Sequence, residues 1–351
     1  MKPIYVLGNG QLGNMLHEAG NRLGLHVQTM SIEESSPIPT DVTITAEREH
    51  WQPSAFINSV VAHPGWINGA AFECIPDRRK QKARLDSVGL PTSPWCVTKK
   101  DSTLEDLIAT LGDRFLLKSA RDGYDGKGQW RYQGESGAEL PDWKSNAIAE
   151  QFINFETEVS LVGARNANGE FAFYELTENF HADGILQLSL KLEGEFAAYQ
   201  EEAESYLSVL MNDLDYIGVM AVEFFVTNDG LLINEIAPRV HNSGHWTQAG
   251  ASVSQFELHL RAVAGLPLPK IDQSGHSMMI NLIGDELTNE WYTTPGARIH
   301  WYGKDVRPGR KLGHVNFHHA DRKELARWLT ESPLSSRFEG AREKALVRYQ
   351  V

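Results

Sequence analysis

A glycine-rich turn between a strand and a helix, at the very start of the chain, leaves few folds open to it. Ile4–Leu7 is a short apolar run of the kind found in buried parallel strands, and Gly8–Gly13 follows it at once. Apolar residues then recur at helical spacing up to Leu23, and a second strand is predicted over Leu25–Met30. This strand–helix–strand order predicts an open α/β sheet that binds ligands at the carboxyl ends of its strands.

The glycine turn itself, Gly-Asn-Gly-Gln-Leu-Gly, has three interpretations. A helix N-terminus directed at an anion is typical of dinucleotide sites. Such sites also place an acidic residue near the end of the second strand to hold the ribose. Thr29–Ser31 stands at that point, and Glu33 and Glu34 come only just beyond it. The turn can therefore bind NAD, contact a phosphate or one edge of a substrate, or be a purely structural turn.

Length, charge and cysteine content restrict the class of protein. A chain of 351 residues is long enough for two or three domains. Its formal charge of −13 argues against non-specific binding to nucleic acid, which requires a basic face. No apolar run approaches the roughly 20 residues of a membrane span, and no secretory signal is visible. Cys74 and Cys96 make no disulfide framework, so we expect a cytoplasmic protein. From the charge and the short apolar runs we expect neither nucleic acid nor a membrane as a partner.

The character of the sequence changes along the chain, and this predicts the domain boundaries. A helix predicted over Asp77–Val88 ends in Gly89–Pro91, so we place the first domain at residues 1–95. From about residue 115, strand-like runs follow one another closely with Gly or Asn between them, which is typical of antiparallel sheet. We place a small antiparallel domain at residues 96–163 and a C-terminal lobe at 164–351.

A second glycine cluster, Gly123–Gln129, begins five residues after Lys118, which ends a predicted strand. It is not a Walker P-loop, because Lys127 is followed by Gly128 rather than by Ser or Thr. Three glycines in six positions cost entropy to order. A flap that lays backbone N–H groups and one cation over a polyphosphate is one interpretation, and a hairpin turn with a solvated lysine is the other.

Two acidic residues in a predicted hairpin form the strongest pattern. Glu223 and Glu235 lie six residues either side of Asp229. A three-residue loop with Gly230 in the left-handed conformation would make them direct cross-strand partners, with Cβ atoms about 4.5–5.5 Å apart. Like charges in apolar surroundings are destabilising unless one is protonated or a cation lies between them, and Mg²⁺ suits such oxygens. A two-residue loop would send them to opposite faces, and a solvent-facing pair is the remaining alternative.

Two later loops are rich in cations. Arg239–Trp246 combines Arg239 and His241 with an Asn-Ser-Gly turn, which suits an anion better than zinc because no cysteine or carboxylate lies among its histidines. Lys304–Lys311 places four cations around a Pro-Gly turn, against the overall charge of the chain. Arginine forks match phosphate geometry, so this loop predicts a phosphate-bearing substrate, with a soluble hairpin tip as the alternative.

These segments, together with Glu150–Ile153, Glu158 and Asn234–Arg239, resemble the ATP-grasp family, and within it the ATP-dependent carboxylases of purine biosynthesis. The resemblance extends from residue 4 to about residue 314. It implies an α/β plus α+β architecture, with an N-terminal Rossmann-like domain, a small antiparallel lid and a C-terminal lobe. The implied activity is carboxylation of 5-aminoimidazole ribonucleotide with ATP and bicarbonate, through carboxyphosphate, to 5-(carboxyamino)imidazole ribonucleotide. Another ATP-grasp ligase, such as a formate-using glycinamide ribonucleotide enzyme, and a non-catalytic nucleotide-binding protein are the alternatives.

The resemblance also implies roles for single residues, with Mg²⁺ at Glu223 and Glu235 and a homodimer as the assembly. The residues implied to bind ATP are Arg78, Lys118, Gly123, Tyr124, Asp125, Gly126, Lys127, Gly128, Gln129, Glu150, Gln151, Phe152, Ile153, Glu158, His181, Asn234 and Glu235. Those implied to contact bicarbonate or the ribonucleotide are Gly10, Gln11, Leu12, Glu73, Arg239, His241, Lys304 and Arg310, of which Arg239, His241 and Lys304 are the catalytic candidates. Strict strand alternation would turn Asn234 away from Glu235, so its role requires a local irregularity.

Overall fold

The N-terminal domain is built on a parallel sheet of the kind expected from the first 30 residues. The computed structural model describes residues 1–33, 37–121, 123 and 128–349. Three parallel strands have the order β2-β1-β3. The elements of this domain are β1 (Ile4–Leu7), α1 (Gln11–Leu23), β2 (Val27–Met30), β3 (Thr43–Ala46), α2 (Ala55–Val61), α3 (Gly69–Cys74) and α4 (Arg78–Ser87). The strand–helix–strand prediction is confirmed, and β2 begins two residues later than expected because Gly24 and Leu25 complete the end of α1.

The second sheet is antiparallel and belongs to the lid. Its four strands have the order β4-β7-β5-β6. The elements of the lid are β4 (Trp95–Thr98), α5 (Leu104–Leu111), β5 (Phe115–Ser119), β6 (Gln129–Tyr132) and β7 (Ala147–Gln151). The buried side chains of Leu107, Phe115 and Leu117 form a small core between α5 and the sheet. The lid is thereby a separate layer that is attached to the rest of the molecule at both ends.

The largest sheet spans the C-terminal lobe. Among the described residues it has nine strands, in the order β13-β12-β8-β10-β11-β14-β16-β15, with β9 paired to β8. Its elements are β8 (Thr157–Arg165), β9 (Phe171–Phe173), β10 (Thr177–Ala182), β11 (Ile185–Lys191), α6 (Ala197–Asp213), β12 (Gly218–Thr227), β13 (Gly230–Ala237), α7 (Thr247–Gly250), α8 (Gln255–Val263), β14 (His276–Ile283), α9 (Asn289–Thr293), β15 (Arg298–Trp301), β16 (Lys311–His319), α10 (Arg322–Glu331) and α11 (Glu339–Tyr349).

The predicted lid boundary at residue 163 is wrong. The lid sheet ends with β7 at Gln151, and β8 pairs along its whole length with β12 in the large sheet, from Thr157 opposite Val226 to Arg165 opposite Gly218. The sequence indicates that this segment is a strand, but it does not indicate which strand is its partner. Hydrogen bonding to β12 therefore assigns β8 to the C-terminal lobe.

The first and third domains share one hydrophobic core, which fixes their relative position. Val6 and Leu16 of the N-terminal domain belong to the same buried cluster as Val219, Phe256 and Leu260 of the C-terminal lobe. Complete burial of each such side chain stabilises the folded state by about 1.5–3 kcal/mol. The carboxyl ends of the parallel strands are consequently held against the C-terminal lobe, and the space between them is preformed.

The last segment of the chain, which carries no recognisable motif, covers the far part of the large sheet. Helices α10 and α11 pack on β10, β11, β14 and β16. Arg348 of α11 donates to the buried carboxylate of Glu178, at 2.7 and 3.0 Å. No helix in the described part of the chain combines the length and the apolar character needed to cross a bilayer.

Candidate active site

A cavity of about 1660 Å³ lies between the three domains and brings most of the predicted site residues together. The predicted residues that line it are Gly10, Gln11, Leu12, Arg78, Lys118, Gly123, Gln129, Glu150, Gln151, Phe152, Ile153, Glu158, His181, Glu223, Asn234, Glu235, Arg239, His241, Lys304 and Arg310. Among the predicted site residues that the structure describes, Gly128 and Glu73 do not line the cavity. Tyr124, Asp125, Gly126 and Lys127 lie outside the described residues.

The expectation for Glu73 is wrong. Its side chain lies on the outer face of α3, is 79% exposed and pairs with Lys80 at 3.2 Å. A short helix presents only one face to the cavity, and the sequence does not indicate which face that is. Glu73 therefore contacts solvent rather than a substrate.

The acidic hairpin turns more tightly than predicted. Thr227 and Gly230 are paired, so the loop has two residues rather than three. The hydroxyl of Thr227 donates to the Gly230 carbonyl at 2.8 Å and accepts from the Asp229 N–H at 3.2 Å, which closes the turn. With this loop and a regular ladder, Glu223 and Glu235 would lie on opposite faces.

A β-bulge restores the pairing of the two glutamates. The register shifts between Glu223 and Phe224, so that Phe224 faces Ile233 while Glu223 faces Glu235. Asn234 is the additional residue on β13 at this point, as one strand of a bulge requires. The predicted cross-strand pairing is thereby confirmed through a different loop, and the irregularity that Asn234 requires is present.

The charge of Glu223 is unfavourable in these surroundings. Burial, and then the nearby carboxylate of Glu235, raise the pKa of Glu223 to about 8. Burial also raises the pKa of Glu158. The side-chain atoms of Glu158, His181 and Glu223 that could bind a metal ion all lie within 4.8 Å of one another. A site rich in carboxylate oxygens and without sulfur fits Mg²⁺, which proteins hold through a few carboxylates together with substrate phosphates.

Lys118 reaches this cluster from the lid. Its ammonium lies 2.5 Å from one oxygen of Glu150 and donates to the Asn234 side-chain oxygen at 3.4 Å. The other oxygen of Glu150 lies 2.5 Å from Lys82, a buried residue of α4. The sequence reasoning missed Lys82 because it is one cation in a largely charged helix, where nothing indicates burial.

The segment Glu150–Ile153, which the resemblance implies binds ATP, is partly engaged within the lid. The N–H groups of Gln151 and Phe152 donate to the carbonyls of Pro94 and Arg114, at 2.9 and 3.0 Å. The guanidinium of Arg114 lies 4.3 Å from the centre of the Phe152 ring. These contacts fix the chain where it leaves the lid and enters the large sheet.

Arg78 contacts the chain where the second glycine cluster begins. Its guanidinium donates to the carbonyls of Ser119 and Gly123, both at 2.8 Å. Near the end of the cluster, Gly128 is left-handed and its carbonyl accepts from the Ser119 N–H at 2.7 Å. Arg78 thus contacts backbone at the edge of the cavity, where it can also face an anion.

The first glycine turn binds a carboxylate of the chain itself. The N–H groups of Gly10 and Gly13 each donate to Glu47 at 2.5 Å. Gly8 is left-handed with φ of +114°, and a Cβ there would lie 2.4 Å from the side chain of Glu47. Because Glu47 fills the anion position at the N-terminus of α1, neither the NAD nor the phosphate interpretation of these amides holds. Glu47 follows β3 directly, so its place at the carboxyl end of a parallel strand was the available signal.

Arg239 is held by a second acidic residue that the sequence reasoning missed. Its guanidinium forms a two-pronged pair with Glu49, with a distance of 2.9 Å between Nη2 and Oε1. Burial would raise the pKa of Glu49, but the charge and hydrogen bonds of Arg239 outweigh burial and lower it. Burial and the charges of Arg239 and Lys311 hold the pKa of His241 well below its ordinary value. The His241 imidazole is therefore neutral.

The second cationic loop reaches the first glycine turn. The Lys304 ammonium donates to the Gln11 side chain, and Arg310 donates to the Asp305 carbonyl at 3.2 Å. Lys311, at the start of β16, also lines the cavity, although the sequence reasoning left it out of the site. These cations lie at the end of the cavity formed with the N-terminal domain, whereas Lys118 and the flap come from the lid.

Comparisons with known proteins identify the family of this chain. The family model of the ATP-grasp domain matches residues 83–256, and that of the phosphoribosylaminoimidazole carboxylase C-terminal domain matches residues 277–327. The N5-carboxyaminoimidazole ribonucleotide synthase of Escherichia coli is 48% identical over 328 residues, which are 93% of this chain and 92% of that protein.

Solved structures extend the likeness to the whole fold. The N5-carboxyaminoimidazole ribonucleotide synthetase of Thermus thermophilus has a TM-score of 0.82 at 37% identity, and the match covers 95% of this chain and 100% of that one. The N5-carboxyaminoimidazole synthase of Aspergillus clavatus, in complex with ADP and 5-aminoimidazole ribonucleotide, has a TM-score of 0.79 at 25% identity, covering 93% and 96%.

Proposed function

The chain belongs to the family of N5-carboxyaminoimidazole ribonucleotide synthases, which are ATP-grasp ligases, and we propose that it carboxylates 5-aminoimidazole ribonucleotide with ATP and bicarbonate. The observation that carries the proposal is one cavity in which Lys118 and the paired Glu223 and Glu235 face the cations of two further loops. That arrangement offers an ATP-phosphate end and an end for a second anionic substrate.

ATP would lie between the lid and the large sheet. Arg78, Lys118 and Gly123–Gln129 would hold its phosphates. The backbone of Glu150–Ile153 would contact adenine, Glu158 would contact the ribose, and His181 would lie near the nucleotide. Glu223 and Glu235, with Asn234 at the bulge, would hold Mg²⁺. The ion would neutralise charge that develops on the phosphates during transfer. Support for this placement comes from the raised pKa of Glu223, since a divalent cation is what makes two adjacent carboxylates favourable.

The reaction proceeds in two steps. An oxygen of bicarbonate attacks the γ-phosphorus of ATP, and ADP leaves with the electrons of the broken bond, giving carboxyphosphate. The amine of 5-aminoimidazole ribonucleotide then attacks the carboxyl carbon, phosphate leaves, and the nitrogen loses a proton. Phosphoryl transfer needs positioning and charge neutralisation rather than a protein nucleophile. Closure of the lid would exclude the water that hydrolyses carboxyphosphate.

The second substrate would bind at the N-terminal end of the cavity. The Nδ1 atom of His241 accepts from the Ser243 N–H at 3.4 Å and lies 2.9 Å from the Ser243 hydroxyl, so contacts within the chain fix the orientation of the ring. His241 would contact bicarbonate from this position. Lys304 and Arg310 would bind the ribonucleotide phosphate, and Arg239 would add charge that Glu49 holds in place.

Incorporation of labelled bicarbonate tests the proposal. We expect label in an acid-labile product only when ATP and 5-aminoimidazole ribonucleotide are both present, together with stoichiometric ADP. Formate and glycinamide ribonucleotide, tried in every combination with these substrates, are the control. ADP release that depends on formate, or nucleotide binding without any substrate-stimulated ADP release, would contradict the assignment. A homodimer remains a prediction for analytical ultracentrifugation.

A further inference from the structure

Lys82 is a buried lysine to which the proposed chemistry gives no task. Its side chain is only 2% exposed, and its Nζ lies 2.5 Å from Glu150 Oε1. It also donates to the Thr92 hydroxyl at 2.5 Å. Burying an ammonium group costs several kcal/mol of solvation, and an apolar side chain of similar size often stabilises a core as well as an ion pair does. Stability alone is therefore a weak reason for a lysine at this position.

Lys82 shares its partner, Glu150, with Lys118, the lysine proposed to bind the ATP phosphates. Glu150 is 4% exposed and contacts Lys82 with one oxygen and Lys118 with the other, both at 2.5 Å. Lys118 is the more exposed of the two lysines, at 14%. We call these three residues the lysine–glutamate cluster. Two positive charges and one negative charge give it a net charge of +1, whereas Glu150 and Lys118 alone would be neutral.

Lys82 also contacts the strand that carries the acidic pair. The Thr92 hydroxyl, which accepts from Lys82, donates to the Ile233 carbonyl at 2.7 Å. Ile233 directly precedes Asn234, whose side chain accepts from Lys118. The lysine–glutamate cluster thus joins α4, the lid and β13 around the phosphate end of the cavity.

We propose that Lys82 is a positioning residue for the ATP phosphates. Glu150 fixes the Lys118 ammonium beside Asn234, and Lys82 balances Glu150 so that the cluster still presents a net positive charge to the cavity. Without Lys82, the Glu150 carboxylate would cancel the charge of Lys118 in surroundings of low polarity, where water screens poorly. This inference rests on the proposed placement of the phosphates at Lys118.

Charge-changing variants of the cluster test this directly. In Lys82→Met the net charge falls to zero, and we expect the KM for ATP to rise about tenfold or more while the KM for 5-aminoimidazole ribonucleotide changes by less than about twofold. In Lys82→Met/Glu150→Gln only Lys118 remains charged and the net charge returns to +1. The KM for ATP should therefore fall back below that of Lys82→Met, although not to the wild-type value, because Gln holds the Lys118 ammonium less firmly than Glu150 does. Lys82→Gln, which keeps polar contacts to Thr92, should behave like Lys82→Met and decides the matter if that variant does not fold.

A purely structural Lys82 predicts different results. Replacing Lys82 would then lower the thermal midpoint without a selective change in the KM for ATP, or the double variant would have a KM for ATP as high as that of Lys82→Met. Either result overturns the inference. Lys118→Met is the reference variant. If it leaves the KM for ATP unchanged, the proposed phosphate site is wrong. If it raises that KM while neither Lys82 variant does, only the inference about Lys82 fails.

Discussion

Replacing Glu223 by Gln should stabilise the free protein while it destroys the site. Burial and Glu235 raise the pKa of Glu223 from 4.5 to about 8, so the folded protein binds a proton that the unfolded chain releases. Each pKa unit is worth about 1.4 kcal/mol, so at pH 7 the ionisable carboxyl costs the folded state about 3 kcal/mol. The contribution of the Glu223 carboxyl to the free energy of unfolding is fully present below about pH 4.5. It is lost progressively as the pH rises towards 8. Gln cannot ionise and avoids the loss.

Urea unfolding at pH 5 and pH 7.5, with EDTA and without nucleotide, measures this effect. Glu223→Gln should be only about 1 kcal/mol more stable than wild type at pH 5 and about 4 kcal/mol more stable at pH 7.5, with ATP turnover abolished at both. The matched control is Glu343→Gln, an exposed position on α11, which should follow wild type at each pH. Equal pH dependence in Glu223→Gln and wild type would refute the view that the two carboxylates oppose each other.

Three further variants probe other parts of the cavity. Gly8→Ala places a Cβ against Glu47 at a left-handed position, and a loss of about 2 kcal/mol is expected in urea unfolding; unchanged stability would contradict the close approach. Glu49→Gln leaves the half-buried Arg239 without its partner and should cost about 3 kcal/mol, with a higher KM for the ribonucleotide; a neutral effect on both would show that the pair is dispensable. Because the pKa of His241 is lowered well below 6.5, its neutral ring should give no inflection in kcat between pH 5.5 and 7.5. The pH profile of kcat for His241→Gln should therefore run parallel to that of wild type. An inflection that only wild type shows would count against a neutral imidazole.

The elements of the fold were largely predictable from local pattern, whereas their partners were not. Periodicity and turn residues predicted β1, the end of α1 and β2 within two residues. Assigning β8 to the wrong domain shows the limit, because a strand looks the same in sequence whichever sheet its hydrogen bonds join. The β-bulge at Asn234 shows the same limit. A two-residue turn and a bulge together give the same pairing as the three-residue turn that we expected.

The candidate site could be predicted where charges interrupt an apolar pattern. Glu223 stands out for that reason, since its neighbours are buried apolar residues. Glu47 and Lys82 were missed for opposite reasons. Glu47 was missed because only the first two strands of the N-terminal domain were predicted, and β3, which it follows, was not, although an acid after a parallel strand has positional meaning. Lys82 lies among other charged residues, and only tertiary packing shows that it is buried.

In the proposed function, Glu223 and Glu235 together hold a divalent cation against the ATP phosphates. Electron paramagnetic resonance of Mn²⁺, titrated into the protein with a non-hydrolysable ATP analogue, tests it most directly. We expect bound Mn²⁺ in wild type and in Glu343→Gln, and at least about tenfold weaker binding in Glu235→Gln, which should keep its folded circular dichroism spectrum but lose ATP turnover. Mn²⁺ binding in Glu235→Gln as tight as in wild type, with turnover retained, would contradict the claim.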